Sequence, residues 1–253
     1  MGRKLTRRRL IATGIAAAAG ASGVVAAVRY ANRFGLIPPD HRGLNGIGET
    51  LTYAAQRLLT SSQAPAREFR RSEISAVAPV NGGPPASEAY LNLLADGFAT
   101  WRLTVDGLVA RPSMFSLADL KRLPARSQIT HLACEEGWSY IAEWTGVPLA
   151  HVLDLVRLRP EARYVVFYPY DEWWDSLDMA DALHAQTLLA YAMNGEPLSA
   201  GHGAPVRLRV PRQLGYKSFK YLSRITVTDS LQGLGKGLGS AAAEAGYSWY
   251  AGI

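Results

Sequence analysis

The 253-residue chain reads as an α+β domain with an appendage at each end. Two observations lead there. Hydrophobic residues make up 48% of the sequence, enough for one sizeable core and too many for a disordered chain. Short apolar runs of strand type are mixed irregularly with helical segments, without the regular strand–helix–strand period of a doubly wound sheet. No internal repeat interrupts this order. The sequence divides into a leader (residues 1–30), a connecting segment (31–95), a patterned domain (96–230) and a Gly-rich C-terminal tail (231–253).

The leader carries the charge. Formal net charge is +6, yet the first 33 residues hold seven of the 27 Lys and Arg and none of the 21 Asp and Glu, which leaves the rest at −1. A near-neutral globular part argues against nucleic acid as a partner. Thr6, Arg7, Arg8, Arg9, Leu10 and Ile11 resemble a twin-arginine export signal, followed by an uncharged, Ala- and Gly-rich run from Leu10 to Val28. That route carries folded, often cofactor-loaded proteins to the periplasm, so export is the expectation. Ala19-Gly20-Ala21 offers a cleavage site; left uncut, the run is long enough to serve as an N-terminal membrane anchor. A single cysteine rules out an internal disulfide.

In the connecting segment helices are expected at about 47–60 and 87–95, among turn-forming stretches such as Asn81-Gly82-Gly83-Pro84-Pro85. Trp101, Leu103 and Val105 alternate with polar residues and stop at Asp106-Gly107, which predicts a strand and turn. Ser116 with Asp119 three residues later predicts a helix start, ended before Pro124. Residues 128–132 read as a strand leading to Cys134, 148–158 as a helix with proline in its first turn, and 164–168 as a buried strand. Residues 179–192 read as a helix closed by Asn194-Gly195, while 206–210 and 225–228 read as strands.

Two features point to chemistry. Cys134, at a strand end among small, aromatic and acidic residues, is the only cysteine. It fits a buried inert thiol, a nucleophile with His131 or His202 as base, or a soft ligand to a metal held mainly by an organic cofactor. Residues 207–224 then hold six basic side chains (Arg207, Arg209, Arg212, Lys217, Lys220, Arg224) and no acidic one, broken by Pro211 and Gly215. Such a loop suits a phosphate-bearing ligand as well as it suits a solvated basic face. Neither a Walker nor a G-x-G-x-x-G motif is present, which lowers the nucleotide readings.

Taken in order, the blocks resemble the molybdopterin-binding domain of the sulfite oxidase superfamily. They are Trp101-x-Leu-x-Val-Asp-Gly107, Ser116-Leu-x-Asp-Leu120, Cys134, Trp144-x-Gly-x-Pro-Leu149, Met193-Asn-Gly-Glu-Pro-Leu198, His202-Gly-x-Pro-x-Arg207, and Val210-Pro211 with Gly215-Tyr-Lys217. The resemblance implies a domain of mixed short sheets with helices that binds molybdenum-molybdopterin (Mo-MPT). It makes Cys134 the metal ligand and places His202, Arg207, Ser218, Phe219 and Lys220 on the pterin and its phosphate, with Asn81 as an upstream pterin contact. Sulfite oxidases usually follow this cysteine with Ala-Gly-Asn-Arg-Arg; here Glu135-Glu136-Gly137-Trp138-Ser139 follows, similar instead to the periplasmic methionine-sulfoxide reductase catalytic subunits. That branch implies reduction of S-oxides by two-electron oxygen-atom transfer, Glu136 as a proton-handling residue, and a separate electron-transfer partner, a haem membrane protein. Trp138, Trp173 and Trp174 are candidates to line the pocket. Two departures, a shorter 168–176 segment and Pro169 at a pterin-contacting threonine position, imply a different substrate pocket. The alternatives are a sulfite-oxidising dehydrogenase and a non-catalytic exported binding protein.

Overall fold

The computed structural model describes residues 36–60, 63–171 and 173–253. The export signal expected in the leader lies outside these residues. Helix α1 (Gly46–Leu59) and helix α2 (Glu88–Ala95) fall where the sequence expects them, and α2 starts at Ser87, whose Oγ accepts from Tyr90 N at 3.4 Å. Strand β1 (Arg102–Gly107) buries Leu103 and Val105 on one face and ends where the chain must reverse. Gly107 has φ +86°, and a Cβ there would sit 2.1 Å from Val227 O, so only glycine fits. Strand β2 (Ser113–Ser116) runs into helix α3 (Leu117–Arg122) through a reciprocal cap: Asp119 N donates to Ser116 Oγ at 3.1 Å and Ser116 N donates to the Asp119 carboxylate at 2.9 Å.

Strands β3 (Arg126–Ala133) and β4 (Ser139–Pro148) form a long hairpin, paired from Arg126 with Gly146 to Ala133 with Ser139. Helix α4 (Leu149–Val156) follows, then β5 (Tyr164–Pro169), β6 (Asp175–Asp178), the single-turn helix α5 (Met179–Ala182), β7 (Leu188–Met193), β8 (Glu196–Pro197), β9 (Arg207–Arg209), β10 (Leu222–Thr228) and helix α6 (Ala241–Glu244). They build two sheets. The first has the order β2-β1-β10-β5-β6, with β1 and β10 parallel and the other pairs antiparallel. The second has the order β3-β4-β7-β8, with β9 also pairing β7. Mixed sheets with helices give the expected α+β class.

The main core lies between these sheets, where Leu103, Val105, Phe167, Ile225 and Val227 meet α4 through Leu149, Val152, Leu153 and Val156. Burial of each such side chain stabilises the fold by about 1.5–3 kcal/mol. The first sheet is covered on its other face too. Val166 of β5 points away from Val165 and Phe167 into a cluster with Tyr53 of α1 and Trp249 and Tyr250 of the tail. Trp249 is tied down by its N donating to Asp40 Oδ2 at 2.7 Å and its Nε1 donating to Ser176 Oγ at 2.8 Å.

One expected element is corrected. Residues 179–192, rich in Ala, Leu and Met, read as a helix, but the helix ends at Ala182 and residues 188–193 are a strand. Leu189 packs in the main core, whereas Leu188 and Ala190 pack on the opposite face with Tyr140 and Trp144. Burial on both sides of a sheet overrides the local preference for helix. The Asn194-Gly195 signal is a two-residue hairpin loop between β7 and β8, with φ +53° and +86°, as a type I′ turn requires. Strands β2, β4, β6 and β8 add to the expected set.

Candidate functional site

Cys134 follows the last residue of β3, and the tight turn to β4 fixes it: Cys134 N donates to Trp138 O at 2.9 Å, and Gly137 N donates to Cys134 O at 3.1 Å. Gly137 makes that turn with φ +91°. The side chain opens onto a cleft of about 460 Å³, within the range of small-molecule and cofactor sites. Three groups surround Sγ: Glu135 Oε2 at 3.3 Å, Glu136 Oε2 at 4.0 Å and Asn81 Nδ2 at 3.8 Å. Burial and then the neighbouring carboxylates push the thiol pKa up. A thiolate here therefore calls for a cation beside it.

Strand β9 supplies the opposite character. Its period of two turns Leu208 into the core and sets Arg207 and Arg209 on the other face. Arg207 donates from Nη1 to His202 O at 3.1 Å and from Nη2 to Ser218 O at 2.6 Å. Arg209, fully buried, donates to Ser218 Oγ at 3.2 Å and to His131 O at 2.6 Å. Among the described residues neither guanidinium forms an ion pair with a carboxylate. Burial, then the charge of Arg207, lowers the Arg209 pKa to about 9.

Lys220 closes the rim, donating to Asn81 O at 2.6 Å and Gly201 O at 3.0 Å. Burial, then Arg207, lowers its pKa to about 8. Gly203, with φ +101°, passes so near this side chain that a Cβ would lie 2.8 Å from the Lys220 Cβ. His202 holds its Nδ1 2.9 Å from Ser199 Oγ, and burial followed by the Arg207 charge depresses its pKa, keeping the ring neutral at pH 7.

All the residues singled out from the sequence, Asn81, Cys134, Glu136, His202, Arg207, Ser218, Phe219 and Lys220, line this one cleft. The basic stretch does not act as a unit. Lys217 is buried in an ion pair with Asp175, Arg212 lies 3.7 Å from Asp181, and Arg224 pairs with Asp106 at 2.7 Å, so only Arg207 and Lys220 of the six reach the cleft. Trp138 and Trp173 line it, but Trp174 packs with Tyr53 and Trp249 instead. His131 turns away toward Phe69, leaving no base beside the thiol from that position. Sequence reading missed Arg209 as a partner of Arg207, although the alternation Arg-Leu-Arg in a predicted strand carries that signal. It also missed Asp171, which lines the cleft and for which the sequence offers no pattern.

A family model described as an oxidoreductase molybdopterin binding domain matches residues 92–233, more than half the chain. The chain belongs to this family. Within the sulfite oxidase superfamily it is similar to a putative protein-methionine-sulfoxide reductase subunit YedZ1 of Azospira oryzae, 41% identical over 154 residues, covering 61% of this chain and 56% of the relative. It is also 35% identical over 148 residues to the protein-methionine-sulfoxide reductase catalytic subunit MsrP of Ralstonia nicotianae, covering 51% of this chain and 44% of that protein. The chain thus spans about half the length of these curated relatives. Among solved structures, the sulfane dehydrogenase SoxCD of Paracoccus pantotrophus matches with a TM-score of 0.50 and 25% identity over 56% of this chain and 39% of that one. These matches agree with the expected fold class and family.

The cleft suits the family's molybdopterin cofactor. His202 Nε2 and Arg207 Nε are buried donor or acceptor atoms of lining residues without a protein partner, as expected where a ligand completes the bonding. An anionic phosphate would compensate the two buried arginines. Among the described residues no group of three or more His, Cys, Asp or Glu gathers as a metal site.

Proposed function

We propose that this chain is the catalytic part of an exported molybdenum–pterin oxidoreductase that reduces S-oxides. The observation that carries this reading is one cleft in which a single thiol flanked by two carboxylates faces a buried arginine that has no carboxylate partner among the described residues. Cys134 would hold the metal; His202, Arg207, Ser218, Phe219 and Lys220 would hold the pterin and its phosphate, with Asn81 bridging both ends through its contacts to Cys134 and Lys220. When bound, the group supplies two-electron oxygen-atom transfer. In the net reaction a sulfoxide takes up two electrons and two protons to give the sulfide and water: the S–O bond breaks, sulfur is reduced and the oxygen leaves as water. The electrons come from a separate electron-transfer protein, which the naming of the relatives as reductase subunits supports; a haem-bearing membrane protein is our reading of that partner.

The chain's own part is to orient substrate and deliver protons. Glu136 is exposed to solvent, yet its carboxylate is fixed by Trp138 Nε1 at 2.9 Å, which suits a proton carrier between solvent and cleft. Glu135 and Glu136 would repel an anion such as sulfite and admit a neutral sulfoxide. The leader supports delivery to the periplasm by the twin-arginine route, and the lysine pair Arg7→Lys with Arg8→Lys would then hold folded protein in the cytoplasm.

The deciding test uses protein purified from the cells that make it. Molybdenum and pterin at equal content to the chain, with methionine sulfoxide reduced by reduced viologen, supports the reading. Sulfite oxidation without reductase activity moves the chain to the sulfite-oxidising alternative, and a folded protein devoid of molybdenum and pterin leaves only the non-catalytic one.

A further inference from the structure

Helix α1 is amphipathic in the inverted sense for a surface helix. Its two charged residues face the protein: Arg57 donates to Asp178 Oδ2 at 2.5 Å and Asp181 Oδ2 at 2.7 Å, and Glu49 Oε1 accepts from Ser248 Oγ at 2.8 Å. Tyr53, on that inner face, donates to Asp178 Oδ2 at 2.7 Å. The outward face carries no charge and presents Ile47, Leu51, Leu58 and Leu59, continued by Leu44 just before the helix; these five are 67–100% exposed. An apolar stripe of this kind on a soluble surface marks a face that something apolar covers.

What precedes the helix indicates the occupant. Fifteen residues separate Leu44 from the end of the uncharged run at Val28, and they include Arg29, Arg33, His41 and Arg42 against one acidic residue, Asp40. Asp40 is buried and accepts from Trp249 N, which leaves Arg42 as the exposed charge of the described part of this stretch. Ile37, Pro38, Pro39, His41 and Arg42 also line a second cleft of about 350 Å³, together with Arg163 and Lys236 and the single acid Asp229. No ion pair involves Arg42, Arg163 or Lys236 among the described residues. An apolar stripe that follows Arg42, whose cleft holds the two further cations Arg163 and Lys236, matches the boundary of a bilayer that carries anionic headgroups.

We infer that α1 lies in the surface of an anionic membrane, with Leu44, Ile47, Leu51 and Leu58 among the acyl chains and Arg42, Arg163 and Lys236 on the headgroups. The helix holds the domain against the bilayer by a contact distinct from the leader. It requires no particular reaction at the Cys134 cleft.

The test reports on the helix itself, because a leader alone can hold a chain on a vesicle. An environment-sensitive fluorophore is placed on the full chain at Leu51→Cys, with a second preparation at Met114→Cys; Met114 is exposed on β2, at the opposite edge of the first sheet from the β6 strand that α1 contacts. Phosphatidylglycerol vesicles should blue-shift the probe at 51 and render it quenchable by bilayer-embedded nitroxide lipid, more strongly than phosphatidylcholine vesicles, and leave the probe at 114 unchanged. Adding Ile47→Glu and Leu58→Glu, both at exposed positions, should cut the fraction of shifted probe about tenfold or more, by the loss of apolar insertion. The inference falls if the probe at 51 stays aqueous on both vesicles. It falls equally if the shift arises without lipid and grows with protein concentration, which indicates a second copy, or needs an added membrane protein.

Discussion

The guanidinium groups of Arg207 and Arg209 both lie over the indole of Trp144, with Cζ 5.1 and 5.6 Å from the ring centroid, and among the described residues no carboxylate pairs with either. Two like charges buried side by side cost stability that the aromatic face and five backbone or hydroxyl acceptors offset only in part. Ligand charge is the missing partner. Arg207→Met should therefore lower molybdenum and pterin content tenfold or more, while the cofactor-free fold changes by no more than about 1–2 kcal/mol, because one lost pair of hydrogen bonds is set against the relief of like-charge repulsion. Metal and pterin analysis beside thermal unfolding of the cofactor-free protein checks both halves.

Lys220 gives a pH dependence with a definite sign. Its folded pKa of about 8 lies below the ordinary 10.5, so between those values the cofactor-free folded chain binds fewer protons than the unfolded one. Stability from this group rises with pH through that window, and Lys220→Met should remove the rise. Anion binding runs the other way. Affinity of the cofactor-free protein for inorganic phosphate should fall above about pH 8, approaching tenfold per pH unit if one proton is linked. Phosphate titrations followed by calorimetry, with Lys220→Met as the pH-insensitive comparison, measure it.

Cys134→Ser should leave the fold intact and abolish turnover. The side chain is 8% exposed and oxygen for sulfur is a small change in volume, so unfolding should shift by about 1 kcal/mol or less. A serine hydroxyl does not ionise at neutral pH and is a poor ligand for a metal that favours soft thiolate. Since Arg207 and Lys220 are untouched by this change, pterin should be retained in larger proportion than activity. Wild-type turnover in this variant would remove Cys134 from the metal.

The sequence made some of this legible and hid the rest for physical reasons. Cys134, His202 and Arg207 were readable because each belongs to a spaced block, and Lys220 because it closely follows the last one; the fold unites these segments at one cleft. The β7 strand was not readable: Leu, Ala and Met at residues 188–193 favour helix, and only their burial between two layers makes them strand. The basic run misled in the other direction. Sequence shows Lys217, Arg212 and Arg224 as unopposed cations, but their partners Asp175, Asp181 and Asp106 come from distant elements. The covering of the first sheet by Tyr53 and Trp249 was equally invisible, since the two residues lie at opposite ends of the chain.

That hidden pairing yields a stability prediction. Lys217 and Asp175 are both buried, with side chains 1% and 2% exposed, and Lys217 Nζ also donates to Ser176 O at 3.0 Å. Removing the cation by Lys217→Met strands the carboxylate, a loss of about 3–5 kcal/mol at neutral pH. Burial already raises the Asp175 pKa to about 6 in the presence of the lysine, and its removal raises it further. A carboxyl whose folded pKa exceeds its unfolded value loses stability as pH rises above that unfolded value, so the deficit of the variant should shrink in acid. Urea unfolding at acidic and neutral pH tests this, and a deficit that grows in acid would contradict it.

The relation between Glu136 and Trp138 separates proton delivery from simple solvation. The indole N–H holds the Glu136 carboxylate at 2.9 Å while the same oxygen stands 4.0 Å from Cys134 Sγ, a position at the mouth of the cleft and in contact with water. Glu136→Gln keeps the shape and the bond from Trp138 but cannot carry a proton. If Glu136 relays protons to the departing oxygen, kcat for sulfoxide reduction should fall about 10²-fold with little change in KM. Trp138→Phe, which frees the carboxylate without removing it, should give a smaller loss. Glu135, although nearer the sulfur at 3.3 Å, has no donor of this kind holding it, so Glu135→Gln should affect discrimination more than rate. Its clearest effect would be a rise in inhibition by sulfite relative to wild type, because one of the two negative charges that repel the anion is gone. Equal kcat in wild type and Glu136→Gln across the pH range would assign the carboxylate to solvent and return the proton path to other groups of the cleft.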